Sequence, residues 1–132
     1  MANVSAGLTV VSNDITTSSN IKVGVTNSLT VTHGGILRSA LTSTAKGTAA
    51  GQVTLITSGD WAPIPYLYVK NLDTTATDYV YIYADTSSDD QIVVQLAGGD
   101  FCWIPCKDDV TLKAFAQTSG TNIEYGVFGT EA

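Results

Sequence analysis

Tyr79-Val80-Tyr81-Ile82-Tyr83-Ala84 alternates without a break, so in an extended chain three phenols fall on one side and Val80, Ile82 and Ala84 on the other. A strand with one aliphatic face and one face able to hydrogen-bond fits a sheet that is packed on one side and wet on the other. Reading outward, the same period of two recurs at 66–70, 92–96, 101–104, 110–116 and 123–128. Between these runs lie turn formers: Asp73-Thr74-Thr75-Ala76-Thr77-Asp78, the acidic stretch 85–90, Ala97-Gly98-Gly99-Asp100, Lys107-Asp108-Asp109 and Thr118-Ser119-Gly120-Thr121-Asn122. Six short strands within about 65 residues match the spacing of an antiparallel sandwich.

The first half is weaker in pattern but of the same kind. Residues 8–11, 21–25, 29–32 and 53–56 each read as pairing segments, with Thr26-Asn27-Ser28 as a hairpin turn. Residues 36–51, with Ala40, Ala45, Ala49 and Ala50, hold what helical potential there is. Gly34-Gly35 and Gly47 bracket them and their hydroxyls compete with helical hydrogen bonds, so a loop with one turn is expected. Asp60-Trp61-Ala62-Pro63-Ile64-Pro65 reads as an extended connector, because each proline biases its predecessor away from the helical region. The expected fold is therefore all-β: an antiparallel β-sandwich, jelly-roll-like or immunoglobulin-like, over residues 61–132. Residues 1–60 are expected to form an extended N-terminal β segment, with the Thr/Ser/Asn-rich residues 12–20 as a docking arm.

Composition agrees. At 132 residues and 13.8 kDa the chain has the size of one domain, able to bury roughly two-thirds of its unfolded surface. Val (13) and Ile (9) are stiff at χ1 and favour pleated structure, and 12 Gly punctuate them. Only 14% of residues are charged, against about 25% in an ordinary soluble domain. The polar surface must come instead from 19 Thr and 11 Ser, and such a neutral hydroxyl surface expects protein neighbours. A net charge of −6 with a single arginine argues against nucleic acid as a partner. No apolar run approaches the ~18–20 residues that cross a bilayer, so no membrane partner is expected. Met1-Ala2-Asn3-Val4-Ser5-Ala6-Gly7 lacks the pattern of a secretory signal, and synthesis in a cytoplasm is expected.

Candidate chemistry is sparse. Cys102 and Cys106 are four apart, roughly 13 Å along a strand and too far for a disulfide without a bend at Pro105; buried free thiols are the first expectation. A zinc site lacks donors, since His33 is the one histidine and no third cysteine exists. His33-Gly34-Gly35 echoes an esterase oxyanion loop, but the partner Gly-x-Ser-x-Gly is missing, and Gly47-Thr48-Ala49-Ala50-Gly51 lacks the Lys-Ser/Thr of a phosphate loop. No catalytic residue and no cofactor are therefore expected. Asp85, Asp89 and Asp90 are the weak alternative for calcium, weighed against aspartate's ordinary role in turns, which also accounts for Asp73, Asp78, Asp108 and Asp109. Tyr79, Tyr81 and Tyr83 are the candidate partner-contact residues, weighed against tyrosines that simply pair across strands of a half-exposed sheet; Tyr66 and Tyr68 stand in the same position.

Four short segments in order carry a resemblance: Tyr68-Val69-Lys70-Asn71-Leu72-Asp73, Gln95-Leu96-Ala97-Gly98-Gly99-Asp100-Phe101, Val110-Thr111-Leu112-Lys113-Ala114 and Ile123-Glu124-Tyr125. Together they resemble small β-sandwich virion proteins of tailed bacteriophages, with Gly99-Asp100 where the pattern has Gly-Glu. The likeness covers about the last 65 residues; Cys102, Cys106 and the acidic stretch 85–90 depart from it. It implies a capsid cement or decoration protein at the capsid surface, contacting the major capsid protein and neighbouring copies of itself, as a homo-oligomer such as a trimer. A tail-associated protein and a host-glycan-binding module are the alternatives. The shared positions are strand and turn positions, so no functional residue is carried over.

Overall fold

A computed structural model describes residues 1–12, 21–42, 52–85 and 91–132, and every regular element among them is a β-strand. In chain order these are β1 (Ala2–Ser12), β2 (Ile21–Val31), β3 (Leu37–Ala40), β4 (Val53–Ile56), β5 (Trp61–Asn71), β6 (Val80–Asp85), β7 (Gln91–Leu96), β8 (Phe101–Pro105), β9 (Thr111–Ala116) and β10 (Asn122–Glu131). The alternation reappears as burial. Along β5, Pro65, Leu67, Val69 and Asn71 are buried between half-exposed Tyr66, Tyr68 and Lys70, and Leu112, Ala114 and Ala116 alternate in the same way along β9. These inward rows meet Val80, Ile82, Leu96 and Ile123 in one core, where each large aliphatic side chain stabilises by about 1.5–3 kcal/mol.

Two four-stranded antiparallel sheets enclose that core, in the orders β3-β10-β5-β8 and β4-β9-β6-β7. Counted from β3, one sheet holds the first, eighth, third and sixth strands and the other the second, seventh, fourth and fifth. This is the double Greek key of a jelly roll. β1 and β2 form a separate two-stranded ribbon ahead of it.

The structure moves four sequence expectations. The sandwich starts before residue 61, because β3 pairs with β10 and β4 with β9; each is a four-residue edge strand, too short to show alternation. Leu37–Ala40 is thus a strand within the stretch read as a loop, and residues 43–51 lie outside the described residues. Asp60–Pro65 is not a linker: Trp61 to Pro65 open β5, with a cis Ala62–Pro63 bond, and the ladder to β10 shifts register between Phe128 and Thr130 to accommodate them. Nor is Thr26-Asn27-Ser28 a turn, since β2 runs straight through it, paired residue by residue with Gly7, Ala6 and Ser5. The docking arm of residues 12–20, Ser12 apart, lies outside the described residues.

Loops at one end of the sandwich are held by Asn71, which is fully buried at the end of β5. Its Nδ2 donates to the carbonyls of Asp78 (2.7 Å) and Leu96 (3.2 Å), and its Oδ1 accepts from the N–H of Asp73 (3.0 Å). Gly98 packs under the same loop: a Cβ there would lie 2.3 Å from the Thr75 carbonyl oxygen.

Candidate interaction surface

Two eleven-residue strands pair over their full length in the β1–β2 ribbon. One face carries the pairs Val4–Leu29, Ala6–Asn27, Leu8–Val25 and Val10–Val23; the other carries Asn3–Thr30, Ser5–Ser28, Gly7–Thr26, Thr9–Gly24 and Val11–Lys22. The ribbon is therefore amphipathic. Near its base the apolar face is covered, with Val31 buried and Val4, Ala6, Asn27 and Leu29 half-buried. Farther out the same face is open: Leu8, Val10, Val23 and Val25 are 48%, 45%, 50% and 59% exposed.

The seat beneath the base is the outer face of the β3-β10-β5-β8 sheet. Tyr66 stacks on Trp103 with ring centroids 5.6 Å apart, and Trp103 lies 5.4 Å from Phe128. Leu29, Thr30 and Val31 face Tyr66 and Phe128 across a narrow crevice. Toward the ribbon's far end a wider cleft of about 530 Å³ separates Ala6, Gly7, Leu8, Val25, Thr26 and Asn27 from β8 at Phe101, Cys102, Trp103 and Ile104. The indole Nε1 of Trp103 is buried and has no hydrogen-bond partner among the described residues. After β2 the chain bridges β10, with Thr32 N–H and His33 N–H donating to the Gly129 carbonyl at 3.0 and 3.1 Å. It then crosses the sheet's outer face at Gly34 and Gly35. Glycine at 126 is required there, since a Cβ would sit 2.2 Å from the Gly35 carbonyl oxygen.

On the same outer face Arg38 of β3 grips Glu124 of β10, with Nε and Nη2 at 3.0 and 2.9 Å from Oε2, and the Tyr68 hydroxyl donates to Oε1 at 3.1 Å. The bonds from Arg38, then from Tyr68, hold the Glu124 carboxyl below its ordinary range. Burial, then the bond to Glu124, raises the Tyr68 phenol.

Tyr79, Tyr81 and Tyr83 line up outside the second sheet. Tyr81 stacks on Phe115 at 5.1 Å, Tyr79 tilts against Tyr81 at 6.4 Å, and Tyr83 meets Phe115 edge-on at 5.8 Å. Tyr79 and Tyr81 are half-buried, but Tyr83 is 0% exposed and its hydroxyl donates to Gln52, so Tyr83 presents no surface to a partner in this state. Asp85 pairs with Lys113, while Asp89 and Asp90 lie outside the described residues. Asp73 accepts from the N–H groups of Thr74 and Thr75, and Asp78 accepts from the Thr118 hydroxyl, as turn aspartates do. His33 is exposed beside Trp61, with its Nδ1 3.0 Å from Glu131. Both cysteines are free thiols, Cys102 half-buried and Cys106 buried; burial raises both, Cys106 to about 11. Among the described residues no group of three or more His, Cys, Asp or Glu side chains is placed to hold a metal ion, and no helix is long and apolar enough to cross a membrane.

The open half of the ribbon is the surface that residue-by-residue reading missed. Its signal was present in part, because Thr9 separates Leu8 from Val10 and Gly24 separates Val23 from Val25, while Val11 breaks the alternation. Alternation shows that a strand has an apolar face and not whether that face is covered. Comparison with family models, with curated proteins and with solved structures finds no match to this chain.

Proposed function

We propose that this chain is a non-enzymatic structural protein of a tailed-phage virion, a cement or decoration protein that binds the capsid surface and stabilises it by protein–protein contact. The observation that carries the reading is the ribbon: a stable sandwich holds an amphipathic two-stranded element whose outer half keeps apolar side chains in solvent. Exposed apolar faces of this kind mark protein–protein contact surfaces. The neutral hydroxyl surface and the four resemblance segments support the same reading. The jelly roll itself does not choose, since that architecture serves capsid and sugar-binding domains alike.

The test is the copy number of the chain per purified particle, by quantitative mass spectrometry, together with rebinding of purified protein to particles stripped of it. Stoichiometry matching the shell lattice and saturable rebinding are expected. Absence from assembled particles overturns the reading; a handful of copies per particle moves the protein to the tail; binding of free glycans with no affinity for shells turns it into a recognition module.

A further inference from the structure

Each described glycine of the sandwich either has a positive φ or would drive a Cβ to 3.2 Å or less from a neighbour. Gly7 of β1 and Gly24 of β2 meet neither condition. Neither has a positive φ, and a Cβ would find nothing closer than 3.9 Å at Gly7 and nothing within 4 Å at Gly24. Glycine inside a strand weakens it and marks bends. The continuously paired ribbon has no need of these two, so what they provide is a second shape. Their place in the ladder says which one. Gly7 pairs with Thr26 and Gly24 with Thr9, so they flank the Leu8–Val25 rung, one on each strand. At that rung the seated base gives way to the open end, and Leu8 and Val25 line the cleft opposite Phe101 and Trp103 of β8. We infer that the outer half of the ribbon is a flap, hinged at Gly7 and Gly24, that folds down on β8, closes the cleft and covers Leu8 and Val25 with Phe101 and Trp103. The inference goes beyond the functional reading above and stands without it: one state of the ribbon presents the apolar face to a partner and the other withdraws it.

Three features favour the closed state, and a fourth confines the motion. Both walls of the cleft are apolar and wet, with Phe101 57% exposed across from Leu8 and Val25, so closing removes apolar surface from water on both sides at once. No ion is trapped, because β8 (Phe101–Pro105) and the ribbon face of Ala6, Leu8, Val25 and Asn27 hold no charged residue. Trp103 keeps a buried indole N–H with no acceptor among the described residues, and a buried donor is costly until it is paired. Closing moves the facing wall toward it, and Asn27 on that wall carries a side-chain oxygen able to accept. The base stays where it is, since Val31 is buried and the N–H groups of Thr32 and His33 are tied to the Gly129 carbonyl.

Val25→Cys combined with Phe101→Cys places one thiol on each wall, and the full chain carrying both tests the flap. Facing β layers pack about 10 Å apart, which leaves the two sulfurs of the closed state within the span of a short bifunctional thiol reagent such as dibromobimane. A crosslink between positions 25 and 101 is expected, located by peptide mass spectrometry. Adding Gly7→Thr and Gly24→Thr keeps the outer face polar and stiffens both strands, and is expected to slow that crosslink by about fivefold with unchanged far-UV circular dichroism. Should the double threonine variant fail to fold, Gly24→Thr alone, whose side chain enters open space, carries the comparison with the same expected direction. Two thiols that react singly but never join, or that join equally fast with and without threonine, overturn the inference. A second readout needs no cysteine substitution: Gly7→Thr with Gly24→Thr holds the flap up and is expected to raise binding of anilinonaphthalene sulfonate by about twofold over the wild type. Equal dye binding overturns the inference as well.

Discussion

Asn71 binds together more of the molecule than its size implies. A leucine there would fill similar space but strand the Leu96 carbonyl in the interior and leave the half-buried Asp78 carbonyl and Asp73 N–H without these bonds. Leaving buried partners unsatisfied costs about 1–3 kcal/mol each before relaxation, so Asn71→Leu is expected to lower stability by about 2–4 kcal/mol in urea unfolding at an unchanged m-value. Glu124 makes stability sensitive to acid. Its folded pKa lies below the ordinary 4.5, so its contribution is complete above that value and is lost as the pH falls through the depressed one. Unfolding followed from pH 6 to 3 should show this loss in the wild type and a flatter profile in Glu124→Gln. Cys106 acts at the other extreme: with the thiol raised from 9.0 to about 11, its stabilisation is whole below pH 9 and disappears as the pH climbs through 11. Folded protein at pH 8 is expected to resist a thiol reagent at Cys106 until denaturant is added. Lys70-Asn71-Leu72-Asp73 was conspicuous in the sequence, but the role of Asn71 was hidden, because its farthest partner, the Leu96 carbonyl at the end of β7, lies twenty-five positions away.

At the scale of elements, the ribbon divides into a seated base and an open end. Truncating Trp103 removes the middle ring of its seat, and Trp103→Ala is expected to cost about 2–4 kcal/mol, below the full-burial range for an aromatic because the indole is half-exposed. A two-stranded ribbon is marginal by itself. Hydrogen exchange in dilute protein should accordingly be fast at 8–12 and 22–25 and slow in β5, β6, β9 and β10. Equal protection along ribbon and sandwich at low concentration would contradict that division. The central strands were legible beforehand because Leu67, Val69, Val80, Ile82, Leu112 and Ala114 alternate strictly with outward residues. Short β3 and β4 were harder: β4 takes its place through a register shift against β9 between Thr54 and Ile56, and β3 through pairing with a strand more than eighty residues later. Thr26-Asn27-Ser28 misled because its turn propensity is weaker than eleven consecutive pairs with β1.

For the molecule as a whole, a sandwich was readable and its winding was not. Jelly-roll and immunoglobulin-like orders use the same strands, and the choice lies in which distant strands meet, such as β3 with β10 and β4 with β9. That non-local pairing has a kinetic signature: refolding is expected in milliseconds to seconds rather than microseconds, read by stopped-flow fluorescence of Trp61 and Trp103. The row of Tyr79, Tyr81 and Tyr83 was foreseeable, but not that Phe115 of β9 stacks on Tyr81 or that Tyr83 is buried with its hydroxyl on Gln52, which no local pattern connects to it.

β10 sits between β3 and β5 and also supplies Phe128, the ring on which the ribbon's base rests. On the ribosome β1 and β2 precede every strand of the sandwich, and for the several seconds needed to translate up to residue 128 the ribbon they form has no Phe128 to rest on. Until then the base of the ribbon has nothing to cover Val31, so a partly made chain exposes apolar surface that the finished fold hides.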